Sequence, residues 1–146
     1  KIDDSYILSP LVVHQGDGQI NGVLLEIDEV ALAEFDRRER GYQRIALAAD
    51  RIHTQEHFDP EKPIWIYVTE QHQPPCSQSP IVQTYVDTVL SGCLEFSEAF
   101  ARQFVEQTLG WQHPLDNDRH APKYGNLAGV KPEQHGLIDQ LIAAVR

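Results

Sequence analysis

The spacing of apolar residues changes about half-way along the chain, and this change constrains the fold more than any other feature. In the first half, apolar and polar residues alternate within short segments, and turns rich in Gly and Pro separate these segments. This pattern is typical of strands. The segments predicted as strands are 7–13, 20–27, 42–52 and 63–69. The segments predicted as helices are 29–40, 80–94, 97–109 and 132–145, mostly in the second half. Strands first and helices later predict an α+β domain with a mixed sheet.

Residues that favour helix ends flank the predicted helices. Asp28 precedes the first helix, and Gly41 follows it. Ser79 and Pro80 have the order of a cap followed by proline at the first helical position, and Ser97 opens the next helix. These residues predict helix starts near 29, 80 and 97.

Composition narrows the class of protein. The 146 residues have the length of a single domain, 1–146, and 41 % of them are hydrophobic, enough for a core. The formal net charge of −10 disfavours a role that neutralises nucleic-acid phosphates. The longest apolar runs are far shorter than the ~20 residues that a bilayer-spanning helix needs. We therefore expect an acidic, cytoplasmic protein with neither nucleic acid nor membrane as partner.

An acidic residue at the end of an apolar stripe is the sharpest chemical signal. Leu32 and Phe35 lie on one face of the predicted first helix, and four more residues bring that face to Glu39. Burying a carboxylate costs several kcal/mol unless it is paired, so a carboxylate at the position of Glu39 indicates a functional role. Alternatively, Glu39 lies at a frayed helix end and pairs in solvent with an arginine, Arg37, Arg40 or Arg44.

Three blocks of sequence carry a family resemblance. The first is F-D-R-R-E at 35–39 followed by Tyr42 and Arg44, where the family has L-D-x-x-E and then Y-x-R. The second is Ser79-Pro80 followed by Tyr85, Leu90 and Gly92. The third is Trp111 followed by Asn117-Asp118-Arg119, Pro122 and Tyr124. In this order and spacing, the blocks resemble the γ-glutamylcyclotransferase-like (AIG2-like) family.

The resemblance implies a fold and a reaction. The fold is a small mixed sheet, partly rolled into a barrel, with helices packed around it. The reaction releases 5-oxoproline from a γ-glutamyl amine or peptide, because the substrate's own α-amine attacks its γ-carbonyl. Such a reaction needs no metal, nucleotide or redox cofactor. By motif position the general acid/base is Glu39, which we expect to face a concave pocket beside the sheet, with its pKa raised by desolvation.

Other candidate site residues have two interpretations each. Tyr42 either lines the substrate pocket or is a core residue of its strand. Arg119 either binds a substrate carboxylate through its planar guanidinium or forms a structural ion pair with Asp118. His53 and His57 have the spacing of a metal pair only on a helix, so we interpret them as surface histidines and predict no metal site.

The family's glycine-rich substrate-binding strand, of the type Y-G-S-N-L, does not occur in the 146 residues. Because the sequence also contains no Met, we expect that strand upstream of Lys1 in the full-length protein. The alternative function is a non-catalytic small-molecule-binding or protein-interaction domain on the same fold. The sequence leaves open which γ-glutamyl compound is used and how many copies assemble.

Overall fold

The computed structural model describes residues 7–54, 56–127 and 129–146. The helices within these ranges are α1 (Glu29–Arg38), α2 (Gln83–Phe96), α3 (Glu98–Gln107) and α4 (His135–Ala143). The strands are β1 (Gln43–Leu47), β2 (Ile64–Val68), β3 (Ile81–Val82) and β4 (Leu115–Asp116). Two compact units contain them: a hairpin unit of residues 12–16 and 24–72, and a helical unit of residues 7–11, 17–23 and 73–146. The α+β class is confirmed.

The hairpin unit is built on the antiparallel pair β1–β2. Arg44 lies opposite Tyr67 and Ala46 opposite Trp65, so these four side chains share one face of the hairpin. The other face is apolar, since it carries Ile45 opposite Ile66. The predicted strand 63–69 is confirmed except at its two ends. Of the strand predicted over 42–52, residues 43–47 are confirmed, whereas Ala49–Arg51 form a short 3-10 helix.

The helical unit has its core between α2, α3 and α4. Its buried side chains are Val86, Leu90, Cys93, Ala101, Val105, Trp111, Ile138, Leu141 and Ile142. The parallel pair β3–β4 joins the start of α2 to the segment after α3, with Ile81 opposite Leu115. The core confirms the three helices predicted for the second half of the chain. Within the described residues, no helix is both long and apolar enough to cross a bilayer.

The helix caps are partly as predicted. Asp28 accepts a hydrogen bond from the backbone N–H of Ala31 at 2.8 Å, and Ser97 accepts one from Phe100 at 3.0 Å. The start predicted at Ser79-Pro80 is wrong, because β3 follows these residues and α2 begins at Gln83. Val82 precedes α2 and has no side-chain oxygen to cap it. Asp118 supplies that function from 34 residues away, accepting from the backbone N–H of Thr84 at 2.8 Å.

The strands predicted over 7–13 and 20–27 are wrong. Neither segment has a hydrogen-bonded strand partner among the described residues. Individual hydrogen bonds connect the two segments to the rest of the helical unit instead. The backbone N–H of Ser9 donates to the Pro80 carbonyl, and the backbone N–H of Asn21 donates to the side-chain oxygen of Gln107. Alternating apolar residues favour a strand only where a partner completes the ladder. In the described residues the sheet is therefore two separate pairs, β1–β2 and β3–β4, and is not closed into a barrel.

The Asp118 carboxylate, which caps the start of α2, makes the stability of the folded protein depend on pH. Burial alone would raise the pKa of Asp118, but hydrogen bonds from the Thr84 hydroxyl and from the backbone N–H groups of Lys123 and Thr84 lower it below the ordinary 3.8. A lowered pKa in the folded state stabilises the protein above the ordinary value, and this contribution is lost as the pH falls through the folded-state pKa. We therefore expect Asp118→Asn to be less stable than wild type by about 1–3 kcal/mol at pH 7. The deficit should shrink below pH 4 in urea titrations; a constant deficit would contradict the assignment.

Candidate active site

Glu39 lies at the junction between α1 and β1, where it caps the helix. Its backbone N–H donates to the Phe35 carbonyl at 2.8 Å, and its own carbonyl accepts from the backbone N–H of Tyr42 at 2.8 Å. The helix end is therefore not frayed. Leu32, Phe35 and Glu39 are all half-buried, as the apolar stripe predicted, although no residue of α1 is fully buried. The structure thus brings together two predicted site residues, Glu39 and Tyr42.

The Glu39 side chain is 30 % exposed, so a small molecule can reach a carboxylate that is largely removed from water. Arg38 Nη2 lies 4.0 Å from Glu39 Oε1, which is a weak ion pair at most. Two of the arginines offered as alternative partners have other acceptors: Arg37 pairs with Glu34 at 2.6 Å and Arg44 with Asp36 at 2.8 Å. Among the described residues, the Glu39 carboxylate therefore has no close ion-pair partner.

Asp36, one turn before Glu39, is bound through both of its carboxylate oxygens to the hairpin. The Tyr67 hydroxyl of β2 donates to Asp36 Oδ1 at 2.8 Å, and Arg44 Nη1 of β1 donates to Asp36 Oδ2 at 2.8 Å. Because Arg44 and Tyr67 are cross-strand neighbours, one carboxylate ties the last turn of α1 to both strands. The sequence analysis did not identify Tyr67. The signal for it was its position two residues after Trp65, which places both side chains on the face of the hairpin opposite Ile45 and Ile66.

The Arg44 guanidinium also lies over the ring of Trp65, with 4.6 Å between its central carbon and the ring centroid. This cation–π contact holds the guanidinium in one orientation on the polar face of the hairpin. Partial burial, and then the hydrogen bond to Asp36, raise the pKa of Tyr67. Its hydroxyl therefore remains a donor well into the alkaline range. Asp36, Arg44, Trp65 and Tyr67 therefore form one connected cluster on this face of the hairpin, and Asp36 precedes Glu39 by three residues.

Arg119 belongs to the helical unit, where two carboxylates bind it. Nε and Nη2 donate to the two oxygens of Asp87 at 2.7 Å each, and Nη1 and Nη2 donate to Asp139 at 3.0 and 2.7 Å. The prediction that Arg119 forms an ion pair is confirmed, but its partners are Asp87 and Asp139 and not Asp118. Asp118 instead binds the start of α2. These hydrogen bonds raise the pKa of Arg119 further above its ordinary value.

Asp87, which sequence reasoning missed, is the buried centre of this ion pair. Its side chain is 2 % exposed and also accepts from the Gln83 amide at 2.9 Å. His135 Nε2 lies 3.7 Å away. The signal in the sequence was an acidic residue beside Val86 and Leu90 on the apolar side of the helix, since an acidic side chain is rarely buried unless it is paired. Arg119 thereby joins α2, α4 and the irregular segment that contains it.

The two histidines with metal-pair spacing, His53 and His57, are both exposed. Among the described residues there is no group of three or more His, Cys, Asp or Glu side chains that could hold a metal ion.

The part of the chain that contains the hairpin matches a known protein family. The family model for AIG2-like γ-glutamyl cyclotransferases matches residues 2–85, more than half of the chain. The chain belongs to this family. The match contains α1, Glu39, Tyr42 and both strands of the hairpin, whereas Arg119 lies outside it. Comparisons with curated proteins and with solved structures gave no match.

Proposed function

We propose that the full-length protein is a γ-glutamyl cyclotransferase that releases 5-oxoproline from a small γ-glutamyl amine or peptide, with Glu39 as its general acid/base. One observation carries the proposal. Within the part of the chain that matches the family, a carboxylate stands at a capped helix end, 30 % exposed and without a strong ion-pair partner. A carboxylate that only served solubility would not need this placement.

The chemistry requires little from the protein. The substrate's α-ammonium loses a proton to Glu39, and the freed amine attacks the γ-carbonyl carbon to form the new ring C–N bond. The bond from that carbon to the leaving nitrogen then breaks as Glu39 returns the proton to that nitrogen. The second proton of the ring nitrogen passes to the released amine, which leaves as an ammonium. A five-membered ring supplies its own orientation, so neither an external nucleophile nor a metal is needed. General acid–base catalysis of this kind contributes about 10²–10⁴-fold.

The other two candidates enter the proposal differently. Tyr42 is proposed to line the substrate site, because its backbone N–H is bound to the carbonyl of Glu39 and its side chain is half-buried. For Arg119, the geometry favours the structural role over the substrate-binding one. A substrate carboxylate would have to compete with Asp87 and Asp139, which already bind three of its nitrogen atoms.

An assay of the full-length protein tests the reaction. We expect 5-oxoproline and free amine in equal amounts from at least one member of a panel containing glutathione, γ-glutamyl amino acids and γ-glutamyl polyamines. Excess chelator should leave the rate unchanged, because the proposed proton transfers use Glu39 alone. Absence of 5-oxoproline across the panel would overturn the proposal in favour of a non-catalytic binding domain.

A further inference from the structure

Both oxygens of the Asp36 carboxylate accept hydrogen bonds from the hairpin, which separates its role from that of Glu39. Tyr67 binds one oxygen and Arg44 the other, each at 2.8 Å. The two partners come from different strands, and Arg44 is itself held over Trp65. Two side chains of the hairpin thus bind one residue of α1, and a third holds one of the two in place.

Position along the chain connects this carboxylate to the proposed acid/base. Asp36 and Glu39 are three residues apart, so they belong to the same turn of helix. Glu39 is also held on its other side, since its carbonyl accepts from the N–H of Tyr42 just before β1. With the bonds of Asp36 intact, the end of α1 is fixed to the hairpin at two points, one on each side of Glu39.

From this arrangement we propose that Asp36 and Tyr67 are positioning residues, which hold the last turn of α1 so that Glu39 meets the substrate in a reactive geometry. The inference rests on the proposed function for its catalytic consequence. Its mechanical part, that the Asp36–Tyr67 bond restrains Glu39, stands without it. Proton transfer needs hydrogen-bond distances of about 2.6–3.2 Å, so a small shift of this turn lowers the rate more than it lowers substrate affinity.

Tyr67 allows the most selective test, because Tyr67→Phe removes one hydroxyl and leaves the ring. We expect kcat to fall about fivefold, the equivalent of one hydrogen bond, with KM changed less than twofold. Asp36→Ala should reduce kcat about tenfold or more, because both hydrogen bonds and the charge that binds Arg44 are lost. The double variant should be no slower than Asp36→Ala alone, since Tyr67 acts through Asp36.

The matched control is Glu34→Gln. Glu34 lies on the same helix and, among the described residues, pairs with exposed Arg37, so its loss should leave kcat and KM unchanged. All rates are referred to folded protein, measured by circular dichroism. Additive effects of the two substitutions, or a fall in stability with kcat unchanged, would overturn the positioning role.

Amide hydrogen exchange tests the mechanical part without any turnover. The N–H groups of Glu39 and Tyr42 are bonded to Phe35 and Glu39 carbonyls, and we expect both to exchange about fivefold faster in Tyr67→Phe and at the wild-type rate in Glu34→Gln. Unchanged exchange in Tyr67→Phe would overturn the inference. Faster exchange in a protein that forms no 5-oxoproline would instead overturn the proposed function and leave the restraint in place.

Discussion

Glu39→Gln in the full-length protein is expected to lower kcat for 5-oxoproline release by about 10²–10⁴-fold, with KM close to wild type. Glutamine keeps the shape of the side chain and its hydrogen-bonding capacity, but it cannot accept the proton of the substrate ammonium. The helix cap involves only the backbone of Glu39, so the substitution leaves it intact. Steady-state kinetics and the circular dichroism spectrum together measure the effect.

A second carboxylate-to-amide variant on the same helix provides the control. Glu34→Gln makes the same chemical change at an exposed position and should retain the full rate. A Glu39→Gln enzyme that keeps more than about a tenth of the wild-type kcat would be incompatible with general acid–base catalysis by this residue.

The largest effect on stability is expected from Arg119→Met. The substitution removes both hydrogen bonds that the guanidinium donates to the Asp87 carboxylate, and the side chain of Asp87 is only 2 % exposed. An uncompensated buried charge of this kind destabilises a protein by about 3–5 kcal/mol. For a domain of this length we expect the melting temperature to fall by roughly 10 °C, measured by thermal denaturation.

Two further variants isolate the cause. Arg102→Met removes an exposed helix pair with Glu98 and should change stability by less than about 1 kcal/mol. Adding Asp87→Leu to Arg119→Met should recover part of the loss, because the carboxylate left unpaired by Arg119→Met is then removed. If Arg119→Met keeps its melting temperature while KM rises, Arg119 binds substrate and the structural assignment is wrong.

Local sequence patterns were enough to predict the elements that local interactions define. Asp28 and Ser97 marked two helix starts because a cap is satisfied within three residues of itself. The alternation around Ile45 and Ile66 indicated β1 and β2, and the stripe through Leu32 and Phe35 led correctly to a half-buried Glu39. Each of these features depends on spacing within a single element.

The errors concern interactions between distant residues. Asp118 caps α2 across 34 residues, and no spacing rule relates it to Thr84. Asp87 and Arg119 are 32 residues apart, and Asp36 and Tyr67 are 31 apart. The segments 7–13 and 20–27 have the apolar alternation of strands, but a strand needs a partner whose identity the segment itself does not specify.

Reaction in ¹⁸O-labelled water tests the central claim, intramolecular cyclisation, most directly. If the substrate's own α-amine attacks the γ-carbonyl, the oxygen of that carbonyl is retained and no water enters the product. We therefore predict that the full-length protein releases 5-oxoproline without ¹⁸O, as measured by mass spectrometry, together with one equivalent of free amine. Release of glutamate carrying ¹⁸O in its γ-carboxylate would show hydrolysis and contradict the account.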